Sequence, residues 1–176
     1  MKSLLGRALL AGGIALAVAA TALPAAAATS GSETVSGILV TSGTSGTRTA
    51  ISTVAVAKGV FQGVGRIVEI PAQPGDPANL SRDDLVYPEG TMHLVNTTVG
   101  ITSFTLNPHN CLFSVTLQES SQITGGTGLF ANASGTFTGT ISPQGLLARN
   151  PDGSCSTTQP SLHEVDMVEF SGTLSF

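Results

Sequence analysis

Four charged side chains keep step with apolar ones along strand-like segments. Arg66 has the parity of Val60, Val64 and Val68. Glu164 and Asp166 have that of Val168, Phe170, Leu174 and Phe176, and Glu119 continues the row Phe113, Val115, Leu117. Residues two apart on a strand point to one face of the sheet, so these charges are expected on the apolar side. A charge there must be paired or reach water. An Arg66–carboxylate pair facing a cavity would orient a polar group on an otherwise apolar ligand. The competing arrangement turns each charge outward. A bulge near Met167 would flip Glu164 and Asp166, Glu119 would lie past its strand end, and Arg66 would extend its stem to the rim.

Other chemistry finds less footing. His93, His109 and His163 show no local spacing suited to zinc and are expected at the surface or at strand edges. No Gly-x-Ser-x-Gly elbow is present, and a Ser-His-Asp triad assembled from distant positions leaves no local trace. Gly126-Thr127-Gly128-Leu129-Phe130-Ala131 fits the dinucleotide pattern G-x-G-x-x-G/A. A threonine-rich strand follows it, however, where a helix would have to hold the pyrophosphate. The expectation is therefore no metal and no cofactor, with catalytic residues unassigned.

The elements that must position these residues read almost throughout at period two, between turn signals. Strands are expected over Thr34–Ser42, Thr47–Ala57, Val60–Ile70, Thr91–Val99, Ile101–Leu106, Cys111–Gln122, Ser134–Ser142 and Leu162–Phe176. Pro71 to Gly90 reads as a long loop with a helical turn after Ser81, and it contains the charged patch Arg82-Asp83-Asp84 and the sole tyrosine, Tyr87. Pro143 to Ser161 reads as a second loop. No segment keeps the helical spacing over three turns. Seven or eight antiparallel strands make a barrel or a sandwich, and a barrel removes the exposed edges.

Residues 1–28 read as a secretory leader: Lys2 and Arg7, then an apolar run from Ala8 to Leu23, then an Ala-rich cleavage site before Thr29. Residues 29–176 form a single domain in this reading, secreted and free of the membrane after cleavage. The chain has seven Lys and Arg against eleven Asp and Glu, a net charge of −4, and loss of Lys2 and Arg7 takes it to −6. That balance argues against nucleic acid as a partner. Cys111 and Cys155 both lie in the exported part, where one disulfide is the simplest outcome; a reactive thiol or a metal pair has no histidine at ligand spacing to support it. Such a bond would stabilise the fold by roughly 3–4 kcal/mol on the chain-entropy view.

Between two strands lies Gly125-Gly126-Thr127-Gly128-Leu129-Phe130-Ala131-Asn132-Ala133-Ser134-Gly135. It reads as a tight turn, shaped by Gly125, Gly126 and Gly128, with Phe130 plugging the core and Gly135 starting the next strand close to its neighbour. This segment resembles one found in plant dirigent proteins and, more loosely, in allene oxide cyclases, and the whole chain resembles secreted proteins of actinobacterial type. The resemblance implies an all-β fold, an eight-stranded antiparallel barrel distantly similar to the lipocalins (calycin-like), working without a cofactor on an apolar guest. Dirigent sites use acids, an arginine and tyrosines facing the cavity; here Tyr87 is expected in a loop. Two expectations follow. One is a barrel that holds a small apolar ligand without catalysis. The alternative is a cofactor-free cyclase, isomerase or dirigent-like guide. Relatives of this shape associate as dimers or trimers, so a homo-oligomer is an open expectation.

Overall fold

The computed structural model describes residues 29–44 and 47–176; the expected leader, 1–28, lies outside the described residues. Eight antiparallel strands follow one another in chain order around a closed barrel. They are β1 (Ser30–Thr44), β2 (Thr47–Gly59), β3 (Gln62–Ile70), β4 (Leu80–Tyr87), β5 (Gly90–Leu106), β6 (Leu112–Gly126), β7 (Ser134–Leu146) and β8 (His163–Ser175). The barrel closes where β8 returns to β1, from Ser30↔Ser175 to Ser42↔His163. Valine, isoleucine and threonine recur along these strands, because their branched side chains suit a pleated, half-buried surface. The turn after β6 contains one short 3-10 turn, Gly128–Phe130.

The stretch from Pro71 to Gly90 differs from the expected loop. It contains β4, whose acids disguise it: Asp83 faces the bore while its neighbours Arg82 and Asp84 pair with Asp76 and His93. Tyr87 is not in a loop either. It ends β4 and is buried. The segments on either side of Gly100 are one strand, β5, kinked by irregular pairing around that glycine.

One end of the bore is plugged by aromatic rings. Phe61 meets Tyr87 at 5.0 Å and Phe130 at 4.9 Å between centroids, both edge to face, and Phe176 packs on Phe130. Phe130 is completely buried. The rings lie over Gly63 and Gly65. A Cβ on Gly65 would come within 2.4 Å of the Val86 carbonyl oxygen and 2.7 Å of the Tyr87 ring. Gly65→Ala is therefore expected to cost about 1–2 kcal/mol through overpacking, read as a lower urea midpoint at unchanged slope.

Beyond the barrel's body β5 and β6 continue as an arm. β4 last pairs with β5 at Leu80↔Thr97, so Thr98–Leu106 pairs with β6 alone. A disulfide between Cys111 and Cys155, Cα atoms 5.4 Å apart, ties the base of the turn joining β5 to β6 to the loop between β7 and β8. The pairing expected from the two cysteines is thus present.

One irregularity decides the site. Val40 pairs with Ser52 but Thr41 pairs with Ala50, which leaves Ile51 without a partner. Below this bulge Ala55 and Ala57 face the core. The extra residue shifts the inward parity from odd to even, so Arg48 is aimed into the bore.

Candidate functional site

Away from the aromatic plug the bore is not filled. An inner chamber of about 50 Å³ is walled by hydrocarbon from Val35, Leu85, Leu94, Phe137 and Phe170, with polar groups from Asp83, Asn96 and Ser121. A vestibule of about 160 Å³ adjoins it, lined among others by Leu39, Glu69 and Asp166. Ile67, Asp83, Ile141 and Val168 belong to both and form the neck between them. Asp83 stands on β4 and Asp166 on β8, four strands apart either way round the barrel. The two carboxyl groups therefore come from opposite walls of one cavity.

Each is held by a different neighbour. Asn96 Nδ2 donates to Asp83 Oδ2 at 2.6 Å. Arg48 Nη2 donates to Asp166 Oδ2 at 2.6 Å and to Glu164 Oε1 at 3.0 Å, its Nε donates to Thr41 Oγ1 at 3.1 Å, and its Nη1 pairs with Glu69. Ser161 Oγ completes Glu164 by donating to Oε2 at 2.7 Å. Three oxygens around this bore have no partner although buried: Asp166 Oδ1, Ser121 Oγ and Glu119 Oε2. Such atoms carry a desolvation cost that a hydrogen-bonding guest would relieve.

Burial, and after it the charges of Glu69 and Glu119, push the Asp83 carboxyl up to about 7 against the pull of Asn96 and Arg48. Burial, and then Glu164, push Asp166 up to about 7 despite Arg48. Glu119 is raised by burial as well, with Thr98 Oγ1 donating to its Oε1 at 3.1 Å. The vestibule thus has on its walls two acids, Asp83 and Asp166, each raised to about 7. That arrangement suits general acid–base work.

Of the residues singled out from sequence, Glu119, Glu164 and Asp166 face the bore; Glu119 and Asp166 are each 5 % exposed. Arg48 brings Glu164 and Asp166 together, while Glu119 reaches the group only through its charge on Asp83. Arg66 is a correction. It is exposed, on the outer face of β3, because the glycine face of that strand is the one turned inward beneath Phe61 and Tyr87. Val64, of the same parity, is 63 % exposed. Arg48, on the neighbouring strand, supplies the interior guanidinium instead. Gly125, Gly126, Gly128 and Gly135 lie along the turn that leads to Phe130 at the plug; Gly128 has φ +57°, a left-handed conformation that favours glycine.

Sequence reasoning missed Asp83, Asn96 and Arg48. Asp83 had a signal, since Ser81, Asp83, Leu85 and Tyr87 share a parity ending in two core residues. Arg48 had none, because the bulge at Ile51 is not written in any residue type. Among the described residues no group of three or more His, Cys, Asp and Glu side chains could hold a metal ion. In comparisons with protein-family models, curated proteins and solved structures, nothing matches the chain.

Proposed function

We propose that the barrel admits a small, mostly apolar, uncharged molecule and isomerises or cyclises it by proton transfer between Asp83 and Asp166, without a cofactor. The observation that carries this reading is the pair of carboxyl groups, Asp166 buried and Asp83 partly buried, each raised to about 7, on opposite walls of one cavity. Asp83 has acids as its charged neighbours besides Arg48, and serves as the acid, donating to a carbonyl or epoxide oxygen of the guest. Asp166 is held by Arg48, which favours its ionised form, and serves as the base that removes a proton from carbon. One proton enters and one leaves, so the product is an isomer and no oxidant is required. Arg48 is occupied by three carboxylates, so its guanidinium is not free to receive an anionic guest. The resemblance of the Gly125–Gly135 segment to cyclases and dirigent proteins agrees with this chemistry. The disulfide and the leader-like residues 1–28 agree with a protein that works outside the cytoplasm.

A second reading, holding the guest without turnover, is favoured by the hydrocarbon walls of the inner chamber. One experiment separates them. Native mass spectrometry of the protein from culture medium identifies the guest, which is then incubated with fresh protein in deuterium oxide. Wild type is expected to wash deuterium into the guest, and Asp83→Asn and Asp166→Asn each to slow this by about 100-fold or more while still binding. A guest that binds and takes up no deuterium establishes the holding role instead.

A further inference from the structure

We infer that the guest enters sideways, through a slot in the barrel wall between β2 and β3, and that the Arg48–Glu69 ion pair is its bolt. This rests on the chamber reading above and adds the route.

β2 and β3 pair only from Ala55↔Gly65 to Lys58↔Gln62. Beyond that, β2 runs on through Thr47–Val54 bonded to β1 alone, and β3 through Arg66–Ile70 bonded to β4 alone. Two strand edges thus face each other without a ladder across a space of about 730 Å³. Its lips are mixed, with Ile51, Val68 and Ile70 beside Arg66, Thr53 and the Arg48–Glu69 pair. Ile67, Glu69 and Ile70 line both this slot and the vestibule. The slot and the cavity that holds Asp83 and Asp166 thus lie on either side of these side chains.

Elsewhere the wall is laddered without such a gap. Even past the start of β8 it continues, Gly43 N–H donating to the Leu162 carbonyl at 3.0 Å and Leu162 N–H to that of Leu146 at 2.8 Å as further rungs between β1, β8 and β7. Ser161 is buried beside these rungs. In contrast, among the described residues a single side-chain ion pair spans the slot, Arg48 to Glu69, the two being 28 % and 39 % exposed. An ion pair so wetted is worth little, whereas entry between two laddered strands would break a row of backbone hydrogen bonds. A neutral guest passing the slot parts Arg48 from Glu69 and leaves the guanidinium still bound to Asp166 and Glu164.

The test uses 4-fluoroacetophenone, a small apolar ketone, with its exchange into the protein followed by fluorine NMR. Both native cysteines are in the disulfide, so Ile51→Cys carries the only thiol for labelling with a bulky maleimide. Unlabelled Ile51→Cys is expected to exchange the ketone as wild type does. The labelled protein is expected to exchange it about tenfold more slowly at unchanged occupancy, since blocking a path alters rates and not the equilibrium. Val68→Cys on the facing lip is expected to behave alike, and serves if Ile51→Cys misfolds. Glu69→Gln is expected to exchange several-fold faster. The same label at Phe104→Cys, out on the arm, is expected to change nothing. Labels at both lips that leave the rate untouched, or slowing by the Phe104 label alone, overturn the portal and spare the chamber. Wild type that binds no ketone removes the chamber reading and the portal with it.

Discussion

Replacing Arg48 with methionine lowers the stability of the fold by about 3 kcal/mol at pH 8 and by less than about 1 kcal/mol at pH 5. Methionine keeps most of the stem and its packing, so the loss is chiefly that of charge. At pH 8 the wild-type guanidinium faces Asp166, Glu164 and Glu69, and among the described residues no other cation pairs with them. Without it, Asp166, 7 % exposed at its side chain, must either ionise unpaired in a poorly hydrated bore or take up a proton at a cost set by the pH. Glu69 is more exposed and is solvated by water, which keeps the loss at the lower end of what breaking a buried pair costs. At pH 5 Asp166 is already protonated in the wild type, and the arginine has less to neutralise. Urea midpoints at the two pH values measure the difference. An equal loss at both would mean that Arg48 acts through packing and its bond to Thr41, and the electrostatic account of the bore would fall.

That arginine also marks how far the chain could be read without coordinates. β8 was legible because nothing interrupts its alternation. Glu164, Asp166, Val168, Phe170 and Leu174 keep one parity, and the register with β1 runs unbroken from Ser30 to Ser42. Glu119 was legible for the same reason on β6. β3 is not legible in this way. Its sequence puts valines on one face and glycines on the other and suggests the valine face for the core, yet the core there is occupied by rings belonging to Phe61 and Tyr87, which leave room only for hydrogen atoms at Gly63 and Gly65. The partner that decides which face is buried lies on another strand, and periodicity within β3 carries no information about it. β4 was hidden because an aspartate facing a cavity looks, one residue at a time, like an aspartate facing water. Two separate features decide the interior cation: the rings over Gly63 and Gly65 leave Arg66 on the outer face of β3, and a one-residue bulge at Ile51 aims Arg48 into the bore. The closed barrel and its disulfide were within reach of sequence; the identity of the charged cluster depended on pairings that only the assembled sheet creates.

Wild-type stability is expected to fall by about 4 kcal/mol as pH rises from 4 to 8. Asp83 and Asp166 are both raised from the ordinary aspartate value of 3.8 to about 7. Between those values the unfolded chain has released protons that the folded barrel keeps. The stability such groups confer is fully present below the lower value and is lost as pH climbs through the upper one. The full linkage would be about 4 kcal/mol for each acid; solvent screening through the partly exposed vestibule brings the pair together to about that figure. Glu33 and Glu119, both raised by burial, act in the same direction. Asp76 and Asp152 are lowered, chiefly by hydrogen bonds from Arg82 and Ser154, and act oppositely. Asp83→Asn keeps the shape, accepts no charge, and is expected to flatten the profile by about half, making the variant the more stable protein at pH 8. Denaturant midpoints across this range test both statements. A wild-type profile that rises toward pH 8, or an Asp83→Asn profile parallel to it, would show that the bore is better hydrated than its walls imply. A fold that sheds an avoidable burden when one carboxyl is removed has a reason to retain that carboxyl, and the proton exchange proposed for Asp83 is such a reason.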